Sequence, residues 1–241
     1  ATIQTMFVQL STSISSVFIP RVNKIVAEKK SNQELTDMFI RIGRMQAFVL
    51  LPVFLGFVFL GQGFIQLWTP DGYTEAYIIA VILMGSSIVP YIQNIGISIQ
   101  MAQNKHQFRS ILYSIIAVAN LLLSIAMCKR YGAIGCAIGT AVSLIVGNGI
   151  IMNIYYHKYI GINMITFWES MAKFIPTILV SSAVGIIMQF ININRWSTFL
   201  LCGAAFVAVY LIMLYFTCIN KTEKLALHSL AKGVKHGFRN K

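Results

Sequence analysis

The chain has 241 residues, of which 57% are hydrophobic and only 11% charged, and its formal net charge is +12. A soluble domain is about 45–50% apolar and about 25% charged, so an ordinary water-soluble fold is excluded. The bases lie between apolar blocks, so the positive charge reads as membrane topology and not as a nucleic-acid surface.

The apolar blocks run to about 20 residues, the length that crosses roughly 30 Å of hydrocarbon as a helix. They lack the alternating segments of a membrane barrel. The predicted fold is therefore an all-α integral membrane protein with seven transmembrane helices, near 2–26, 46–68, 76–101, 109–128, 134–156, 174–193 and 197–219.

The first helix, TIQTMFVQLSTSISSVFIPR, carries Thr5, Gln9, Thr12 and Ser16 at helical spacing on one face, with Ile3, Phe7, Leu10, Ile14 and Val17 on the other. Arg21 follows Pro20 at the end of this seam, with Lys24 one turn on. Both could snorkel to headgroups, or Arg21 could hold a phosphate, which its planar fork of donors matches. Next, Ser31 and Glu34 have capping-box spacing ahead of Leu35, Met38, Phe39 and Ile42. This predicts an amphipathic helix lying on anionic lipid.

The third span reads MGSSIVPYIQNIGISIQ. Ser86, Pro90, Gln93 and Gln100 share one side, and Ser87, Asn94 and Ser98 the adjacent one. Pro90 removes a backbone donor, and Gly85 and Gly96 loosen the same helix. A bend at Pro90 lining a water-filled cavity is expected, against the plainer reading of a kink whose amides bond neighbouring helices. In the fifth span Gly135, Gly139, Ser143 and Gly147 are each four apart, a ridge for close helix packing. Thr166 and Glu169 repeat the capping-box spacing. Asn220 and Glu223 resemble it ahead of Leu227, Leu230, Val234 and Phe238, an amphipathic basic tail.

Charge orients the spans. Arg21, Lys24, Lys29, Lys30, Arg41 and Arg44 fall in the first connection, Lys105 and Arg109 in the third, and Lys158 and Lys173 in the fifth. Lys221, Lys224, Lys232, Lys235, Arg239 and Lys241 fall in the tail. Only Lys129, Arg130 and Arg195 fall on the other side. Cytoplasmic loops collect positive charge, so the first residues start outside and the C-terminus ends inside. Trp68, Tyr73, Tyr131 and Trp196 then sit at outer ends, and Tyr155, Tyr156, Tyr159 and Trp168 at inner ends.

No carboxylate falls within a predicted span, so these residues offer no carboxylate relay of the kind ion-coupled pumps use. Asp71 and Glu75, in TPDGYTEA, read as a solvated turn and not as an acid/base pair, so no enzyme is expected. His106, His157, His228 and His236 are scattered, so no metal or cofactor is expected. Cys128, Cys136, Cys202 and Cys218 lack CxxC spacing and read as small apolar side chains.

FIPRVNKIVAEKK with the charged helix after it, LLPVFLGFVFLGQGFIQLW, and RYGAIGCAIGTAVS running into YYHKYIGI resemble, in that order, the second half of a bacterial polysaccharide (O-antigen) flippase. These belong to the multidrug/oligosaccharidyl-lipid/polysaccharide exporter superfamily. The resemblance implies that this chain holds helices 8–14 of a fourteen-helix, two-lobe transporter in the cytoplasmic membrane. Residues 1–160 would be the remainder of the second lobe, 161–219 an interfacial helix and the terminal helix pair, and 220–241 the tail. The implied cargo is an undecaprenyl-pyrophosphate-linked oligosaccharide. Membrane lipids, and polysaccharide assembly proteins as further candidates, would be partners, and nucleic acid would not. Thr5, Gln9, Thr12, Ser16, Gln93 and Asn94 would wall a chamber for the sugars, Arg21 would meet the pyrophosphate, and Pro90 would serve as hinge. A multidrug exporter, a peptidoglycan-precursor flippase and a membrane glycosyltransferase or polymerase are the alternatives.

Overall fold

Apolar length decides most of the architecture. A computed structural model describes residues 2–28, 30–69, 74–191 and 195–218. Among the described residues every regular element is helical. In order these are α1 (Thr2–Ser16), α2 (Ile19–Ala27), α3 (Asn32–Trp68), α4 (Thr74–Ile92), α5 (Ile95–Ala102) and α6 (Gln107–Leu144). A wider π-helical turn follows (Ile145–Ile151), then α7 (Met152–Tyr155), a second π turn (Tyr156–Ile160), α8 (Met164–Ala172), α9 (Ile175–Met188) and α10 (Trp196–Thr217). The basic tail, Asp71, Tyr73 and Lys29 lie outside the described residues.

Five stretches are long and apolar enough to cross a membrane: Asn32–Trp68, Glu75–Ala102, Gln107–Ile160, Met164–Met188 and Trp196–Thr217. The third would be a rod of about 80 Å if straight, far more than a bilayer needs. It folds back at Gly132, whose φ of 58° and ψ of −139° leave the helical region, so it supplies two arms. The α1–α2 pair is the remaining segment. Its break at Val17–Phe18 follows from Pro20, which has no N–H to offer the Ser16 carbonyl.

Helix α3 is the hub, packed against α1, α2, α4, α5, α8, α9 and α10. The arms of α6 lean on α4, and α9 pairs with α10. Gly161, with φ 86°, turns the chain between the second π turn and α8. The terminal pair shares its core with the preceding helices: Phe206 sits on Phe59, and Phe174 on Phe48.

Two sequence expectations are corrected here. The helix expected on the lipid surface is the first part of α3, continuous with its apolar length. Ser31 does cap it, accepting from the Glu34 N–H at 3.3 Å. But Leu35, Met38, Phe39 and Ile42 are buried, with Phe39 against Phe167 and Tyr156. Its amphipathic stripe was real, and α8 covers it instead of lipid. Helix α8 is capped by Asn163, not Thr166. The Asn163 side chain accepts from the N–H groups of Ile165 and Thr166, and Gly161 has already turned the chain.

Arg44 locks this end of the bundle. It is only 2% exposed. Its guanidinium donates to the Cys218 carbonyl at 2.6 Å, just past α10, and more loosely to Ser170 of α8 at 3.4 Å. It also lies 5.5 Å from the ring centres of Phe48 and Phe174. One cation thus answers an orphan carbonyl at a helix C-terminus while its flat faces pack on aromatics. Arg44→Ala should cost about 3 kcal/mol, the scale of losing charge-assisted bonds in a buried site. Arg44→Lys should recover only part, because a point charge cannot serve both α8 and α10. Thermal unfolding in detergent reads both, and an unchanged midpoint for Arg44→Ala would contradict the assignment.

Candidate functional site

Pro90 removes the N–H that would bond the Ser86 carbonyl, and the helix yields just beyond it. Asn94, Gly96 and Ile97 donate to Tyr91, Gln93 and Asn94 in tight three-residue turns between α4 and α5. The predicted break is therefore present at Gln93–Asn94. What meets it is a second polar face of α1, made by Gln4, Ser11 and Ser15. Ser11 Oγ donates to the Tyr91 carbonyl at 2.8 Å. The amide of Gln46, on α3, donates to the Ser11 carbonyl at 3.2 Å and its hydroxyl at 3.1 Å. Asn94 Nδ2 donates to Ser15 Oγ at 3.1 Å, and Gln4 Nε2 to Ser87 Oγ at 2.9 Å. Three helices are knotted at the interruption.

A second network radiates from Asn153. Its Oδ1 accepts from Gln93 Nε2 at 3.1 Å and from Trp168 Nε1 at 2.8 Å. Its Nδ2 donates to the Asn148 carbonyl at 2.7 Å, five residues back. Tyr113 OH donates to Asn148 Oδ1. Arg109 donates to Tyr113 OH at 2.7 Å and to Tyr156 OH at 3.2 Å, with its guanidinium 4.6 Å from the Tyr113 ring centre. Both π turns flank this chain of bonds. A π turn widens the helix by one residue, and here the extra room is filled by side-chain amides.

The sequence-predicted site residues therefore separate into two groups. Gln93 is 3% exposed and committed to Asn153, and Asn94 is committed to Ser15. The reason is the break itself, whose loose ends draw the nearest amides. Gln9 lies instead on the exposed face of α1. Thr5, Gln9, Thr12 and Ser16 do share one face, and it is exposed. Thr12 Oγ1 donates to its own helix at Val8 (3.2 Å) and Gln9 (3.1 Å), and Ser16 Oγ to Ser13 at 3.0 Å, so their lone pairs face outward. Arg21 is exposed on α2, which anchors itself through buried Val22 and Ile25. Nearby, Lys30 bridges Glu34 at 3.3 Å and Glu28 at 3.6 Å. The hydrogen bond to Glu34, with its charge, raises the Lys30 ammonium above its ordinary value.

Beside the polar strip α1 borders an apolar groove of about 360 Å³. Met6, Phe7, Leu10, Pro52, Phe57, Phe206 and Val207 are among its walls. Every carboxylate among the described residues is exposed, and those residues hold no group of three metal-ligating side chains. Sequence reasoning missed Gln4, Ser11 and Ser15, though their spacing around Phe7 was as helical as that of the chosen face. It also missed the Asn148–Asn153 pair, five apart, where the π turns lie.

No family model matches the chain, and neither a curated protein nor a solved structure does.

Asn153→Leu should destabilise the bundle by about 1–2 kcal/mol, chiefly the cost of leaving the buried Gln93 amide unmet. Adding Gln93→Leu should give back part of that loss, since the two amides then no longer strand each other. A double-mutant cycle on unfolding midpoints measures this, and simple additivity would remove the pair from the network.

Proposed function

We propose that this chain is part of a bacterial flippase that carries undecaprenyl-pyrophosphate-linked oligosaccharides across the cytoplasmic membrane, with the C-terminus inside. The observation that carries this reading is the pair of surfaces on α1. One side is a strip of hydroxyls and an amide, Thr5, Gln9, Thr12 and Ser16, and the adjoining side opens on an apolar groove. These match the two halves of a lipid-linked sugar.

The contrast with other exposed faces supports it. The first arm of α6 exposes Ile111, Ile115, Val118, Leu121 and Leu122, and α9 exposes Leu179, Ile186 and Ile187, all suited to acyl chains. The Gln9 amide cannot be satisfied by its own helix as a hydroxyl can, so water, sugar or another protein surface is its proper neighbour. Sugars need such a wall, because each unpaired hydroxyl in hydrocarbon costs several kcal/mol. Arg21 sits on the exposed side of α2 at the inner end of the strip, where a pyrophosphate would first be met. Its fork neutralises phosphate oxygens two at a time. Pro90 and the Gln93–Asn94 break supply the bend that rocking of the lobes requires. Gln93, which is buried, and Asn94, which is half-buried, hold that bend through protein partners and not through sugar.

Arg21→Ala should lower surface glycan roughly ten- to a hundredfold at unchanged protein level, the scale of one charge-assisted contact, with Arg21→Lys restoring part. Glycan blotting of cells that depend on this chain is the measurement. Normal glycan in the alanine variant would remove Arg21 from the path. In the same assay Pro90→Ala should keep the fold and slow export, and unchanged export would leave the kink a packing feature only.

A further inference from the structure

The turn of the α6 hairpin holds chemistry that transport does not use. Its arms approach through glycines. A Cβ at Gly135 would strike the Met127 carbonyl and come within 3.0 Å of the Cys128 nitrogen. One at Gly139 would lie 2.7–3.0 Å from Ser124, and one at Gly147 would strike Ile116. These contacts fix the register of the arms, and that register sets Cys136 opposite Cys128. Cys136 Sγ lies 3.9 Å from the Ser124 carbonyl oxygen, one helical turn before Cys128, and Gly135, its chain neighbour, is the residue that packs on the Cys128 backbone. Cys128 is exposed and Cys136 half-buried, whereas Cys202 and Cys218 are buried on α10. A glycine ridge brings helix backbones toward the roughly 4.4–6.8 Å between Cα atoms that a disulfide spans.

We propose that Cys128 and Cys136 form a disulfide that pins the hairpin turn when the protein meets a small disulfide donor. The Cys128 thiolate attacks one sulfur of the donor RS–SR and displaces RS⁻. The Cys136 thiolate then attacks the Cys128 sulfur and displaces the second RS⁻. The donor is reduced to two thiols, which take up the two protons released by the cysteines, and the protein is oxidised by two electrons. At Gly132 φ is 58°, nothing would approach an added Cβ within 4 Å, and the residues on either side are exposed. A covalent link beside it restrains the arms without altering the core. That the turn meets an oxidising compartment in cells rests on the topology proposed above.

The reduced, purified protein is incubated with oxidised glutathione, quenched in acid, alkylated and mapped by mass spectrometry. The expected product is a peptide linked through Cys128 and Cys136, with Cys202 and Cys218 unlinked. C136S should instead carry glutathione on Cys128. Glutathione on Cys128 of the unaltered protein with Cys136 still reduced, or no reaction at either thiol, would overturn the proposal. Intact cells separate this from the topology. A membrane-impermeant maleimide should label Cys128 only after an impermeant reductant. Labelling without reductant would overturn the disulfide in cells. No labelling after reduction would sink the outward placement, leaving the purified protein to decide the pair.

Discussion

A helix interrupted inside an apolar bundle exposes carbonyls that no water reaches, and the protein itself must answer them. Pro90 creates that debt in α4, and the neighbouring elements are arranged to meet it. Ser11 supplies a hydroxyl to the Tyr91 carbonyl, Gln46 steadies Ser11 from α3, and Asn94 turns back to Ser15. On the other side Gln93 finds Asn153. The break is thus the junction of two polar networks, one reaching through α1 and α3, the other through α6, the π turns and α8. A change in bend at Pro90 cannot occur without moving partners in both.

The Arg44 clamp applies the same rule at a helix end. The carbonyl past α10 is answered by a guanidinium rising from α3, with Phe48 and Phe174 excluding water around it. Cation, orphan carbonyl and aromatic faces make one unit, so the terminal helix pair is held to the hub by a directional bond as well as by its Phe206 and Phe174 contacts. This matters because lipid-immersed helices gain little from hiding apolar surface from one another.

Much of the framework could be read from the residues. Span length and hydropathy locate the apolar segments, Pro90 foretells the break, and the four-residue ridge from Gly135 foretells the hairpin that Met127 and Ser124 complete. Periodicity names the faces of a helix but not what each face meets. Helix α1 has two polar faces of equal regularity. Only the placement of α4 shows that Gln4, Ser11 and Ser15 point inward while Thr5, Gln9, Thr12 and Ser16 point out. The stripe on α3 from Leu35 to Ile42 was visible for the same reason that its cover was not: lipid and Phe167 satisfy it alike. Arg44 counted as one more loop charge because burial leaves no mark on a single residue. The cysteines looked inert because their proximity depends on where the hairpin turns.

This division of polar groups bears on how a sugar path could be built from such a chain. Inward groups such as Ser11, Ser15 and Gln93 are held by partners of fixed geometry, and they hold shape. Outward groups on α1 either turn their protons onto their own helix, as Thr12 and Ser16 do, or keep an amide free of backbone partners, as Gln9 does. A surface of hydroxyl lone pairs with an occasional amide binds no single sugar tightly. Each contact is about as good as the one water offers, so cargo is neither refused nor trapped. Affinity would then come from the phosphate end, where one guanidinium outweighs several hydroxyls, and retention from the apolar groove beside the strip. Such a surface favours passage over capture, and that separates a conduit from a binding pocket.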